Sequence, residues 1–291
     1  MHRRTAARAG RGAAGAPRLD GRAQRDRLPV SWTEEVLAEL RAARFGPRAW
    51  ARFLTRSFAR ARQARRERPS AHRQTLILAA AGLAGWAAAA PAGTPWLALA
   101  GGLWWALLAL MVDWHLGMLD ARRRLGPANV LTILRAGAVP ALLAIPPAQL
   151  AALLIPAGLL DALDGPIARA RGETTRLGIW LDGSVDGLVL AAAAIGAARA
   201  GLLPAWAVAL VLARHGLQWL AVTVAYFAAA RPPALEALVP ARLPGLVLFT
   251  GLALAALGAP GAAALVAAGA LGGLAAFALT LARAGVAAAA D

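Results

Sequence analysis

Four aspartates, Asp161, Asp164, Asp182 and Asp186, stand in a stretch whose other residues are mostly apolar. An ionised Asp near the centre of a membrane helix costs roughly 2.5–3.5 kcal/mol on insertion scales, so four of them together require a cationic partner. Asp161, Asp164 and Ala168 lie three and seven residues apart, on one stripe of a helix, and Asp182 and Asp186 lie one turn apart on a second helix. Two helices thus offer two carboxylates each to a shared point. Donors that are all oxygen, with no Cys or His among them, suit hard ions such as Mg²⁺ or Mn²⁺ better than zinc. Two divalent cations would neutralise four carboxylates, and a metal pair held this way clamps phosphates and stabilises the attacking and leaving oxygens of a displacement. The expected substrate is a phosphate ester.

The residues between the aspartates refine that expectation. Gly165 and Gly178 have no side chain and Ala168 has a small one, so a neighbouring helix or a ligand can approach their backbone closely. Arg169 offers a permanently charged planar fork suited to a pyrophosphate. The polar segment RGETTR, residues 171–176, separates two apolar stretches and places the middle of the motif at a membrane surface.

The run DALDGPIARARGETTRLGIWLDGSVD resembles the CDP-alcohol phosphatidyltransferase pattern, DxxDGxxAR, eight residues, then GxxxDxxxD, at every fixed position. The resemblance implies that the first three aspartates bind two divalent cations gripping the CDP pyrophosphate, and that Asp186, also counted among the metal ligands, is the general base for the acceptor hydroxyl. It places Gly165, Ala168, Arg169, Thr175 and Gly178 in the CDP-alcohol site. Upstream, GPANVLTILRAGAVP at 126–140 is similar to the start of the same family's first core helix, where PNxLTxxR is frequent, with Ala128 here at the Pro position. That likeness implies that Asn129 and Thr132 help to hold the cytidine nucleotide and that Arg135 lies near the phosphates. The implied partners are CDP-diacylglycerol or a similar CDP-alcohol, a small alcohol acceptor and membrane lipid.

The elements that must position these residues follow from composition. With 59% hydrophobic residues and a mean hydropathy of +0.56, the chain has apolar runs long enough to cross a bilayer. Backbone polar groups in lipid must be satisfied within each segment, so the expected fold is all-α, a polytopic membrane helical bundle. Membrane helices are expected near 75–92, 95–119, 129–147, 149–170, 177–198, 204–229, 235–258 and 261–283, the last six forming a catalytic core within a domain at 121–291 and the first two an addition at 74–120. The absence of cysteine excludes disulfides and thiolate metal sites. Abundant Gly and Ala permit close helix packing, including that of a homodimer.

Residues 1–73 form a separate basic region. Residues 1 to about 28 are expected to be disordered, and an amphipathic helix is expected over about 31–64, opened by Ser31 and Glu34 in a capping-box pattern and carrying Trp50, Phe53, Leu54 and Phe58 between arginines. Such a helix lies on an anionic membrane surface. The net charge of +16 would also suit nucleic acid, but beside a membrane bundle lipid explains it better, and no nucleic-acid partner is expected. Arg122, Arg123, Arg124, Arg171, Arg176, Arg231, Arg242 and Arg283 fall in alternate loops with the basic N-terminus, while the opposite loops carry only Arg199. By the positive-inside rule both termini and the site face the cytoplasm of an inner membrane.

Arg214 lies inside an apolar helix, and Arg242 opens another. The resemblance makes both candidates for holding the phosphate of an acceptor, with glycerol 3-phosphate favoured and inositol phosphate or another alcohol as alternatives. Their bland readings are a structural ion pair for Arg214 and a topological anchor for Arg242. Gly187 stands where phosphatidylglycerophosphate synthases of that family often have a basic residue. Asp113 and His115 are expected to be interfacial, beside Trp114 and the arginine triplet. An intramembrane prenyltransferase and a divalent-cation carrier are the competing classes. Arg169 with Gly165 argues against the first, and a carrier needs neither Arg169 nor the upstream segment.

Overall fold

The computed structural model describes residues 32–89, 95–119, 122–144, 146–228 and 242–290, and all regular structure among them is helical. The N-terminal region carries α1 (Trp32–Ala42), α2 (Pro47–Glu67) and α3 (Pro69–Ala89), followed by α4 (Pro95–Trp114) and a 3₁₀ turn at Leu116–Leu119. The rest comprises α5 (Gly126–Gly137), α6 (Val139–Ala144), α7 (Pro147–Ala170), α8 (Arg176–Arg199), α9 (Ala205–Ala228), α10 (Arg242–Ala256) and α11 (Ala262–Ala290). Six stretches are long and apolar enough to cross a bilayer: Pro95–Trp114, Gly126–Ala144, Pro147–Ala170, Arg176–Arg199, Ala205–Ala228 and Ala262–Arg283. This is a multi-pass membrane protein.

Two expected spans come out differently. The helix expected at 75–92 is α3, which begins six residues earlier in the polar run that includes His72, Arg73 and Gln74 and is not among the six long apolar stretches. The one expected at 235–258 is described from Arg242, as a shorter apolar helix, Leu243–Ala256. Arg231, Ser31 and residues 1 to about 28 lie outside the described residues, as does the Arg242 side chain. The single amphipathic helix expected over about 31–64 is α1 and α2, separated by a turn in which Arg44 and Phe45 have φ of 48° and 59°. Pro47 opens α2, where its missing N–H costs nothing.

Small side chains hold the core together. Ala192, Ala193, Ala194 and Ala197 of α8 are buried against Leu150 and Leu154 of α7, Val211 of α9 and Leu248 and Leu252 of α10. A Cβ added at Gly251 would lie 2.7 Å from the Val266 amide nitrogen, and one at Gly269 would collide with the Leu248 backbone, so α10 and α11 touch backbone to backbone. Outside, Leu99, Leu103, Leu107, Leu163, Ile179, Leu217 and Leu220 are exposed, an apolar surface suited to lipid.

Indole rings fasten α4 to its neighbours. Pro140 has no N–H for the Ala136 carbonyl four residues before it, which is where α5 gives way to α6. Trp104 Nε1 donates to that oxygen at 2.7 Å, and Trp105 Nε1 donates to the Leu78 carbonyl of α3 at 2.8 Å. Asp113, expected at the interface, is 8% exposed and paired: Arg65 Nε of α2 and His72 Nδ1 of α3 each lie 2.6 Å from its carboxylate. Phe58 rests on Trp114 at 4.2 Å, and Trp50 and Phe53 pack on Phe227 at the end of α9. The aromatic face of α2 therefore meets the bundle itself, while Leu54 and Phe58 stay half exposed.

Candidate functional site

The site grows from α5, α7 and α8. Asn129, Thr132 and Arg135 recur every three residues, on one stripe of α5, and all three are buried. α7 ends at Ala170 in a turn where Glu173 N–H donates to Ala168 O at 2.7 Å and Gly172 takes φ +57°. α8 then starts on Thr175, whose extended backbone and Oγ1, accepting from Gly178 N–H at 3.1 Å, form an N-cap. The polar break expected at RGETTR is this turn. Arg122, from the linker before α5, donates to Gly172 O and pins it.

Arg135 is the hub. Its Nη1 lies 2.5 Å from Asp161 Oδ1, 3.1 Å from Asp164 Oδ2 and 3.8 Å from Asp182 Oδ1, and its Nη2 lies 2.5 Å from Asp186 Oδ1. The two pairs of carboxylates do converge, as their spacing predicts, but on a guanidinium that the resemblance had placed near phosphates. Four aspartates around one arginine leave three negative charges in excess.

The four carboxylates are not equivalent. Asp164 is 5% exposed and accepts from Thr132 Oγ1 at 2.8 Å as well as from Arg135. Asp161, Asp182 and Asp186 have side chains 41%, 51% and 39% exposed, and one oxygen from each lies within 4.8 Å of the other two. That trio of oxygens fits hard divalent cations. Asp164 is outside the trio, because Thr132 and Arg135 turn it inward.

Other candidates take supporting positions. A Cβ at Gly178 would lie 2.8 Å from Asn129 Oδ1, and one at Gly165 would lie 3.3 Å from Arg169 Nη1, so each glycine makes room for a polar side chain. Asn129 Nδ2 donates to Leu125 O at 2.5 Å. Pro166 removes the donor that would meet Ala162 O, opening the α7 backbone between Asp161 and Asp164. Arg214 Nη1 lies 3.2 Å from Gly269 O and 3.4 Å from Pro244 O, tying α9 to α10 and α11. His215 escaped sequence reasoning. It is 7% exposed, and a Cβ at Gly187 would lie 3.1 Å from both its ring and that of Trp219, which accounts for the glycine after Asp186.

The family model described as CDP-alcohol phosphatidyltransferase matches residues 126–285. A protein of Mycobacterium tuberculosis strain CDC 1551 / Oshkosh named "Putative cardiolipin synthase" is 32% identical over 105 residues, covering 34% of this chain and 50% of its own length. A Mycobacterium bovis protein of the same name matches equally. The chain spans about half the length of these curated relatives. No solved structure gives a significant match.

Proposed function

This chain belongs to the CDP-alcohol phosphatidyltransferase family, and from that membership we propose that it transfers a phosphatidyl group from a CDP-alcohol such as CDP-diacylglycerol to a hydroxyl acceptor, releasing CMP. The observation that carries this reading is the convergence of Asp161, Asp164, Asp182 and Asp186 on Arg135. When bound by these carboxylates, two divalent cations would supply the positive charge that a diphosphate clamp needs. Asp186 takes the proton of the acceptor hydroxyl. The acceptor oxygen then bonds to the phosphorus that bears the alcohol, while the bond from that phosphorus to the bridging oxygen breaks and that oxygen leaves, with the electron pair, as part of CMP. Asp164, itself held by Thr132, holds the Arg135 side chain in place, and Arg169, folded over Gly165, is positioned to meet phosphate oxygens.

The face that carries the arginine triplet, the α7–α8 turn and α2 is read as cytoplasmic by the positive-inside rule. The α1–α2 region is read as a basic surface module beside the catalytic domain.

The acceptor has two readings. Glycerol 3-phosphate is favoured if Arg214 holds a phosphate. The commitment of Arg214 Nη1 to two backbone carbonyls favours the other, an acceptor with no terminal phosphate held there, and the name of the mycobacterial relatives favours cardiolipin as the product, whose acceptor would carry a phosphodiester in place of a terminal phosphate. Arg214→Ala separates them. If Arg214 grips the acceptor, its KM should rise by about 10- to 100-fold, the range for a charged hydrogen bond, with the KM for the CDP-lipid unchanged. Equal effects on both substrates would assign Arg214 to packing.

The defining experiment incubates the purified protein with CDP-diacylglycerol, Mg²⁺ or Mn²⁺ and a panel of alcohols, and identifies the lipid formed. Metal uptake into proteoliposomes with no release of CMP would replace this reading with that of a carrier.

A further inference from the structure

The helix α2 runs across the ends of the bundle's spans. Near its start Trp50 and Phe53 pack on Phe227 at the end of α9. Further along, Phe58 rests on Trp114, the last residue of α4, and Arg65 pairs with Asp113 beside it. From Trp50 to Arg65 the helix rises about 22 Å at 1.5 Å per residue. Four of the apolar spans follow Trp114, the fourth ending at Ala228. An even number of crossings brings Trp114 and Phe227 to one face, which is also the face of the α7–α8 turn that Arg122 pins. A helix that touches only the ends of two spans lies along that face, at the depth where acyl chains give way to headgroups.

Around its circumference α2 presents three different surfaces. Ala49, Ala61 and Ala64 are buried. Arg48, Arg52, Arg62 and Arg66 fall within about 80° of one another on the opposite side, in a stripe about 27 Å long, and all four are exposed. Between these two surfaces Leu54 and Phe58 are 49% and 50% exposed. Among the described residues none of the four stripe arginines forms an ion pair, whereas Arg56 is held by Glu39 and Arg65 by Asp113. The stripe is a row of permanent positive charge with no acidic side chain to answer it.

We propose that this stripe is a binding surface for anionic phospholipids of the bilayer, its guanidinium groups engaging headgroup phosphates while Leu54 and Phe58 enter the upper acyl region. A guanidinium offers phosphate a planar fork of donors, and each basic residue near an anionic membrane surface strengthens the attraction about fivefold. The apolar flank decides between lipid and another polyanion. A nucleic acid has nothing to lay over Leu54 and Phe58, but a bilayer offers phosphates and hydrocarbon side by side at matching depths. An isolated amphipathic helix spends its apolar face on attachment to the membrane. Here Trp50 and Phe53 are spent on the bundle, so the spans do the anchoring and the stripe is left to discriminate between headgroups.

The chain has no cysteine, so Thr55→Cys provides a single labelling site: Thr55 is exposed and its hydroxyl bonds only to Ala51 O of the same helix. The full-length protein, carrying a bimane there, is reconstituted in phosphatidylcholine vesicles that contain a fixed fraction of nitroxide-bearing phosphatidylglycerol or, in parallel, nitroxide-bearing phosphatidylcholine. At low salt, quenching by the anionic lipid should exceed quenching by the neutral one about fivefold or more. Combining Arg48→Gln, Arg52→Gln, Arg62→Gln and Arg66→Gln should bring that ratio to about twofold or less. Equal quenching by the two lipids in the protein with its arginines intact, or a ratio that stays higher after the four substitutions, overturns the proposal. If the substituted protein does not fold, salt takes its place: raising the ionic strength from about 0.05 to about 0.5 M should lower the ratio to the same level, and a ratio indifferent to salt overturns the proposal. Equal quenching together with retention of a labelled single-stranded RNA on phosphatidylcholine vesicles holding the protein would assign the stripe to nucleic acid. No turnover is measured, so failure here leaves the catalytic reading standing.

Discussion

Asp186→Asn is expected to lower turnover by about 10²–10⁴-fold, the usual contribution of a positioned general base, while the protein still binds the CDP-lipid. The substitution preserves shape, and an amide oxygen can still accept from Arg135 Nη2, which lies 2.5 Å from Asp186 Oδ1. It also removes one of three carboxylates whose oxygens lie within 4.8 Å of one another. A loss caused by weaker metal binding should be recovered by raising Mn²⁺, because occupancy then saturates. A lost base is not recovered by any concentration of metal. Single-turnover rates measured across a Mn²⁺ series distinguish the two, and full recovery at high Mn²⁺ would remove Asp186 from the role of base.

Arg135→Ala is expected to have the largest effect on stability. The Arg135 and Asp164 side chains are 3% and 6% exposed, and breaking a buried pair by deleting one partner costs about 3–5 kcal/mol, since the remaining charge stays buried without compensation. Here the deletion also leaves Asp161, Asp182 and Asp186 facing one another. Thermal unfolding in detergent with a chelator should therefore show a strong loss. Added Mn²⁺ should stabilise the variant more than the unsubstituted protein, because a bound cation stabilises the folded state by mass action and does here what the guanidinium did. An equal Mn²⁺ response in both proteins would mean that the metal ligands and the Arg135 partners are different sets of carboxylates.

These two expectations show which parts of the molecule were legible in its residues. Helical periodicity placed Asp161 with Asp164 and Asp182 with Asp186, and the polar run between them marked the turn, because spacing along a helix and apolar length are local properties. The Pro147–Ala170 and Arg176–Arg199 helices accordingly fall within two residues of their expected bounds. The pairing of Asp113 was not legible, because its partners, Arg65 and His72, stand 48 and 41 residues away. The meeting of Arg135 with all four aspartates was likewise hidden. A stripe of α5 can be read from spacing, but the helices it faces cannot.

The contacts of α2 reach beyond architecture. This helix carries seven arginines, of which Arg65 pairs with Asp113 and Arg56 with Glu39; because Arg65 on Asp113 and Phe58 on Trp114 fasten the helix to the bundle, the charge of the others stays at one face of it. An anionic headgroup gains about 1 kcal/mol per nearby arginine, which is several-fold in local concentration for each. The lipids ringing this face are therefore not a fair sample of the bilayer. A CDP-lipid is itself anionic, and a protein drawing on such a ring would work from a two-dimensional pool enriched in its donor, with an apparent affinity that rises and falls with ionic strength and with the anionic content of the surrounding membrane.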